Sequence, residues 1–238
     1  ACIQAIIKYM EEFDTDGGDL TMPPDTPKNF TSEFLSSQTL TLAWDEPDAN
    51  EIVGDAAESY VIYRSPNGYG FADPVYTTET SYNFQTTNDT TYFRVAARNE
   101  GGESPPTEVL ATRQSSSVPE FLIVNGFDRI DRYQNVPDEG LPGALRIRER
   151  RINSQDYVVQ HAQAIESLPG HLGFVTTSNE ALQAGKVELS DYEMIVWIAG
   201  EERTVIDTKT NDEALSSSER SALRSYLGNG GKLFISGA

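Results

Sequence analysis

The sequence predicts a chain of mixed class, an all-β immunoglobulin-like sandwich followed by an α/β unit built on a parallel sheet. Two observations predict it. Between residues 37 and 98, apolar and polar residues alternate in short runs, the period of strands with one buried face. From residue 121 onward the alternation gives way to continuous apolar runs separated by helical spacing, the mark of strands covered on both faces. A length of 238 residues with 38% hydrophobic residues suits two domains rather than one.

Taken in order, residues 1–13 place Ile3, Ile6, Ile7, Met10 and Phe13 on one stripe of a helix. So short a helix holds only against a partner surface. Residues 14–26 form an acidic linker with Gly17-Gly18 and Pro23-Pro24. Its Asp14, Asp16 and Asp19 miss the spacing of a calcium loop, and no glutamate stands at the twelfth position. The sandwich occupies 27–113. The run from Ser37 to Trp44 puts Leu40, Leu42 and Trp44 on one strand face, and Tyr60 to Arg64 and Tyr92 to Arg98 repeat the pattern. Turn clusters at Pro66-Asn67-Gly68 and Asn99-Glu100-Gly101-Gly102 separate the strands. Tyr92 is placed to act as a tyrosine corner, with Thr86 where a leucine is usual and Phe84 as a substitute. Tyr69 and Phe71 lie in a turn and are candidates for exposed contacts.

Residues 114–119 read as a second linker and 120–238 as the α/β unit. Its strands are expected at 121–124, 173–176, 194–199 and 233–235. One helix falls near 156–167, with Val158, Val159, Ala162 and Ile165 inward. Ser216 and Glu219 make a capping box for another, which carries Leu223, Tyr226 and Leu227 and stops at Gly228-Asn229-Gly230-Gly231. Trp44 and Trp197 are both expected in cores. The final strand and turn, Lys232 to Ala238, read as the interior of a sheet, so the chain is expected to be a piece of a longer protein.

Formal net charge is −19. Such a surface repels phosphate backbones and anionic lipid, which argues against nucleic acid and membrane partners. No apolar run is long enough to span a bilayer. Cys2 is the only cysteine, which excludes an intrachain disulfide and a thiolate metal cluster. With two histidines, a three-imidazole zinc site is also excluded.

In an open parallel sheet, ligands bind beyond the carboxyl ends of the strands, at the switch point in strand order. The tips there supply Asn125, Gly126, Asp128 and Arg129, then Gly200, Glu201 and Glu202, then Ser236. Glycines let the backbone approach a ligand, while carboxylates and guanidinium groups grip a polar molecule such as a sugar. These are the candidate ligand residues; the plain alternative is turn glycines and a surface ion pair. No catalytic residue is assigned. Ser236 lacks the leading glycine of a hydrolase elbow, and His161 and His171 read as surface histidines.

The Trp44 strand, Tyr60-Val61-Ile62-Tyr63-Arg64, Tyr92-Phe93-Arg94-Val95-Ala96-Ala97-Arg98-Asn99 and Gly101-Gly102-Glu103-Ser104-Pro105-Pro106 occur in one order, and that order resembles a fibronectin type III domain. The strand–helix–strand ending in Tyr226-Leu227-Gly228-Asn229-Gly230-Gly231-Lys232-Leu233-Phe234-Ile235-Ser236 resembles the type 1 glutamine amidotransferase-like, flavodoxin-like fold, cut short at its C-terminus. Catalytic members of that family carry a nucleophilic cysteine after this strand. Here Ser236-Gly237 follows instead, so glutaminase activity is not expected. Residues 1–13 resemble the closing helix of zinc-dependent N-acetylmuramoyl-L-alanine amidases; the zinc would sit in a missing upstream domain, and this segment is expected to hold no cofactor. Together the resemblances imply a non-catalytic spacer or binding segment of a secreted or surface-attached bacterial protein, a cell-wall amidase or polysaccharide-degrading enzyme. It would engage cell wall or extracellular polysaccharide and the neighbouring domains of its parent. Two alternatives stay open: the completed α/β domain is a hydrolase using Asp128, Glu201 or Ser236, or the sandwich is a protein–protein adhesion module.

Overall fold

A computed structural model describes residues 21–50, 54–86, 88–115, 120–129, 153–202 and 213–237, with short pieces at 136–137, 140, 142–143 and 145–146. The expected N-terminal helix and most of the acidic linker lie outside these residues, as do Asp131, Arg132 and Arg203.

Eight strands make the N-terminal part: β1 (Lys28–Ser36), β2 (Thr39–Asp45), β3 (Ser59–Ser65), β4 (Ala72–Thr77), β5 (Ser81–Gln85), β6 (Thr91–Asn99), β7 (Gly102–Glu103) and β8 (Leu110–Thr112). One layer runs β1-β2-β5; the other runs β4-β3-β6, with β7 and β8 both paired to β6, all antiparallel. Strand alternation explains the layers. Leu40, Leu42 and Trp44 point inward from β2 and, with Phe30 of the neighbouring β1, meet Tyr60, Ile62, Phe93, Val95 and Leu110 from the facing strands. Trp44 sits edge-on to Phe30 and Tyr60, with ring centroids 6.3 and 5.4 Å away, an arrangement that aromatic quadrupoles favour.

The C-terminal part contributes β9 (Phe121–Asn125), two short strands β10 (Val136–Pro137) and β11 (Leu145–Arg146), helix α1 (Val158–Glu166), β12 (Phe174–Ser178), α2 (Asn179–Gln183), β13 (Met194–Gly200), α3 (Ser217–Gly228) and β14 (Lys232–Gly237). Strands β9, β12, β13 and β14 are parallel, in spatial order β14-β13-β9-β12. The capping box at the start of α3 is formed: Ser216 accepts from the Glu219 N–H, and the Glu219 carboxylate accepts from the Ser216 N–H. Helices α2 and α3 cover one sheet face, where Leu122, Val124, Val175, Ile195 and Trp197 are buried against Leu182, Leu223 and Tyr226. Helix α1 covers the other, its Val158, Val159, Ala162 and Ile165 turned onto Ile123, Val196 and Ile198.

The two parts do not meet through a loose tether. Strand β1 pairs antiparallel with β12, in register Thr31 to Thr177, so one seven-stranded sheet runs β14-β13-β9-β12-β1-β2-β5 through both. Thr176 and Ser32 exchange bonds: Ser32 Oγ donates to the Thr176 carbonyl at 2.7 Å and accepts from its N–H at 3.1 Å. The Thr176 hydroxyl in turn donates to the Ala111 carbonyl at 2.6 Å and accepts from the Ala111 N–H at 3.2 Å. Where the sequence reading placed a linker, Gln114 and Ser115 are buried, and Arg113 bridges to Phe174 through paired backbone bonds. The remainder of that stretch, 116–119, lies outside the described residues.

Tyr92 explains part of this join. It is 2% exposed, and its ring lies with Val109 and Ala111 against Val158 and Val159 of α1 rather than inside the sandwich. Among the described residues its hydroxyl makes no bond to upstream backbone, so the expected tyrosine corner gives way to a contact between the two parts. Of the expected exposed pair, Tyr69 is 57% exposed and Phe71 is half-buried. Phe71 packs at this junction beneath the Arg94 guanidinium, 4.3 Å from its ring centroid, and Tyr69 accepts a 3.2 Å bond from Gln160 of α1.

Candidate functional site

The eight residues singled out at the strand tips separate into three places. At the switch point between β9 and β13, the protein fills the crevice with its own side chains. A Cβ added at Gly126 would stand 2.6 Å from Trp197 Nε1, so the absent side chain makes room for the indole. Gly200 has φ +53°, and the ring of Phe127 lies against it, 2.2 Å from where a Cβ would be. Above them the Arg129 N–H donates to Glu202 Oε2 at 3.3 Å, and Arg129 Nη1 donates to the Glu202 carbonyl at 3.2 Å. Burial and the nearby Asp128 push the Glu202 carboxyl up to about 7 against the pull of Arg129. Glu201 stands near Tyr157, whose phenol burial and the neighbouring carboxylates push up. Among the described residues, Gly126 and Gly200 thus pack against Trp197 and Phe127, and Arg129 bonds to Glu202.

One strand over, Asn125 and Asp128 line a cavity of about 340 Å³ at the tips of β9 and β12. Its far wall comes from the sandwich. Lys28, Asn29 and Glu108 face Asn125, Asp128, Gln155, Ser178 and Glu180. A bulge in β1 creates this wall: the register shifts between Lys28 and Thr31, and Asn29 sits at φ +53°, a conformation asparagine tolerates better than most residues. The Asn29 amide donates to Asp45 Oδ2 at 2.6 Å, and Lys186 donates to the other oxygen of Asp45 at 2.5 Å. Those two bonds, Lys186 first, hold the Asp45 carboxyl below its usual range.

The carboxyls in the cavity are not ordinary. Burial, a hydrogen bond to Asp128 and the charges of Asp128 and Glu108 push Glu180 up to about 9, so it carries a proton at neutral pH. Glu108 is pushed up to about 7, chiefly by burial, and its Oε1 is sealed from solvent without a hydrogen-bond partner. Asn125 is 4% exposed. It lines the cavity.

A broader groove of about 600 Å³ opens at the opposite end of the sheet, bordered by Tyr192, Lys232 and the end of α3. It lies at the amino ends of β13 and β14, where parallel sheets do not place ligands. Ser236, the third place, stands on the α1 face of β14. Its Oγ is 2.7 Å from His161 Nε2, and His161 Nδ1 is 2.8 Å from the Tyr157 carbonyl. His161 was read as a surface histidine, yet helix α1 turns it onto the strand tip. His171 meets Arg113 Nη2 at 3.0 Å and the Gln114 carbonyl at 2.9 Å, a junction role.

Sequence reasoning missed Glu108, Glu180, Lys28, Asn29 and Gln155. Glu180 had a signal, since it follows the tip of β12 directly. Lys28, Asn29 and Glu108 come from the sandwich side, which the β1–β12 pairing brings there and no local pattern announces. Among the described residues, no cluster of three His, Cys, Asp or Glu is arranged to hold a metal ion, and no helix is long and apolar enough to cross a membrane.

No protein-family model and no curated protein sequence matches the chain. Similar solved structures include the sixth fibronectin type III domain from human fibronectin type III domain containing protein 3, at 24% identity over 40% of this chain and 91% of that one, with a TM-score of 0.34. A multidomain titin fragment is 23% identical over 36% of this chain and 30% of that one, with a TM-score of 0.31. The extracellular region of rat CD45, domains d3-d4, is 14% identical over 40% of this chain and 51% of that one, with a TM-score of 0.33. The chain thus spans less than a third of the titin fragment. The sandwich described above is antiparallel throughout, three strands facing five.

Proposed function

We propose that this chain is a polysaccharide-binding accessory segment of a secreted bacterial multidomain protein, with its ligand seated in the cavity between sandwich and parallel sheet. The α/β part is read as flavodoxin-like and amidotransferase-like, a reading supported by its strand order, which in chain sequence is second, first, third, fourth. The observation that carries the binding function is the set of Asn125, Asn29, Gln155, Asp128 and protonated Glu180 around one cavity, its walls drawn from both parts. Carboxamides and a neutral carboxyl offer donors and acceptors side by side, the pattern that adjacent sugar hydroxyls match. The net charge of −19 turns away phosphorylated ligands. Peptidoglycan or a neutral extracellular polysaccharide fits these terms, and a cell-wall amidase or polysaccharide-degrading enzyme is the parent that fits the ligand.

Cosedimentation with peptidoglycan sacculi and with cellulose tests this. The chain is expected to be retained on at least one of them, and Asn125→Leu, which replaces a cavity-lining carboxamide by an apolar side chain of similar shape, is expected to abolish retention. Substitution of exposed Tyr76 on the far sandwich layer serves as the control and leaves retention intact. Retention that survives Asn125→Leu would place any binding elsewhere.

A further inference from the structure

We propose that Ser236 and His161 form a nucleophile–base pair that gives this chain acyl-ester hydrolase activity, independent of the cavity. The geometry points to it. His161 Nδ1 lies 2.8 Å from the Tyr157 carbonyl, which only accepts, so the ring proton sits on Nδ1. That leaves Nε2 with a lone pair, 2.7 Å from Ser236 Oγ, and the hydroxyl must be the donor in that bond. This is the arrangement in which a base withdraws the proton of a serine hydroxyl as it attacks. Ser236 is half-buried near the carboxyl end of β14, opposite Ile198 in register, and is reachable from solvent. Phe234, two residues earlier on the same strand face and 50% exposed, offers an apolar surface for a short acyl chain.

The substrate class follows from what holds the histidine. A carbonyl dipole orients the ring, but it stabilises an imidazolium less than the carboxylate of a serine–histidine–aspartate triad does. A weakly supported base serves esters, whose alkoxide leaves readily, before amides. In the first step Ser236 Oγ bonds to the ester carbonyl carbon while its proton passes to His161 Nε2. Collapse of the adduct breaks the bond to the alcohol oxygen, which takes the proton from the imidazolium and departs as the alcohol. Water then adds to the acyl-serine carbonyl, giving its proton to Nε2. The bond to Ser236 Oγ breaks, the serine recovers the proton, and the carboxylic acid leaves.

The test treats the whole chain with a fluorophosphonate and maps the adduct by peptide mass spectrometry, with p-nitrophenyl acetate turnover measured in parallel. A covalent adduct on Ser236 is expected, together with ester hydrolysis lost in Ser236→Ala. His161→Asn is expected to slow labelling by about 100-fold or more, the range of a positioned general base. Absence of an adduct on Ser236 in the unsubstituted chain overturns the proposal, and that result needs no variant to fold. Labelling at an unchanged rate in His161→Asn, with thermal unfolding unchanged, overturns it as well.

Discussion

At the residue scale, Glu180 decides the pH behaviour. Its carboxyl is pushed up from an ordinary 4.5 to about 9 by burial and its hydrogen bond to Asp128. Between those values the folded chain holds a proton that the unfolded chain has released. The unfolded state then binds fewer protons, so stability falls as pH rises through this window. Glu108, pushed up to about 7, adds to the decline over its lower part. Glu180→Gln keeps the neutral shape without a titrating group. It is expected to raise the unfolding midpoint at pH 9 relative to the parent chain and leave it nearly unchanged at pH 4. Denaturant titrations at the two pH values check this, and equal effects at both would remove Glu180 from the account. Gly126 is the second residue with a sharp expectation. Gly126→Ala drives a methyl into the Trp197 indole and should cost about 1–3 kcal/mol, the range for overfilling a core. A loss of Trp197 near-ultraviolet dichroism should accompany it.

At the element scale, the β1–β12 pair holds the molecule together through few groups. Thr176 satisfies both backbone groups of Ala111 with one hydroxyl, while its own backbone is satisfied by Ser32. Thr176→Val keeps the shape and removes the hydroxyl, which strands a buried N–H and a buried carbonyl. The cost is expected to reach about 1–3 kcal/mol for each group left without a partner. Urea unfolding measures it; a change below experimental error would mean that water or a shifted backbone repairs the loss. The elements themselves were legible from the chain. Trp44 and Trp197 are core, the Ser216–Glu219 capping box is formed, and Val158, Val159, Ala162 and Ile165 face inward as their spacing requires. The pairing of β1 with β12 was not legible. Its residues lie 146 positions apart at Thr31 and Thr177, and both are ordinary strand residues without a local mark. For the same reason only the sheet side of the cavity, Asn125 and Asp128, could be read in advance. The His161–Ser236 contact was hidden because the spacing of α1 tells which face is buried but not where the edge of that face reaches.

At the scale of the whole molecule, the sandwich is part of the sheet rather than a bead on a string. Tyr92, Val109 and Ala111 lie in one apolar cluster with Ile123, Val158 and Phe174, so neither part is complete without the other. The cavity exists only because they are joined, since Asn29 and Glu108 come from one side and Asn125 and Glu180 from the other. Scanning calorimetry is the most direct test of that union. The account predicts one cooperative transition for the chain, with calorimetric and van't Hoff enthalpies in agreement, and an isolated 27–113 sandwich that melts at a distinctly lower temperature. Two separate transitions, one of them coinciding with the melting of the isolated sandwich, would contradict it.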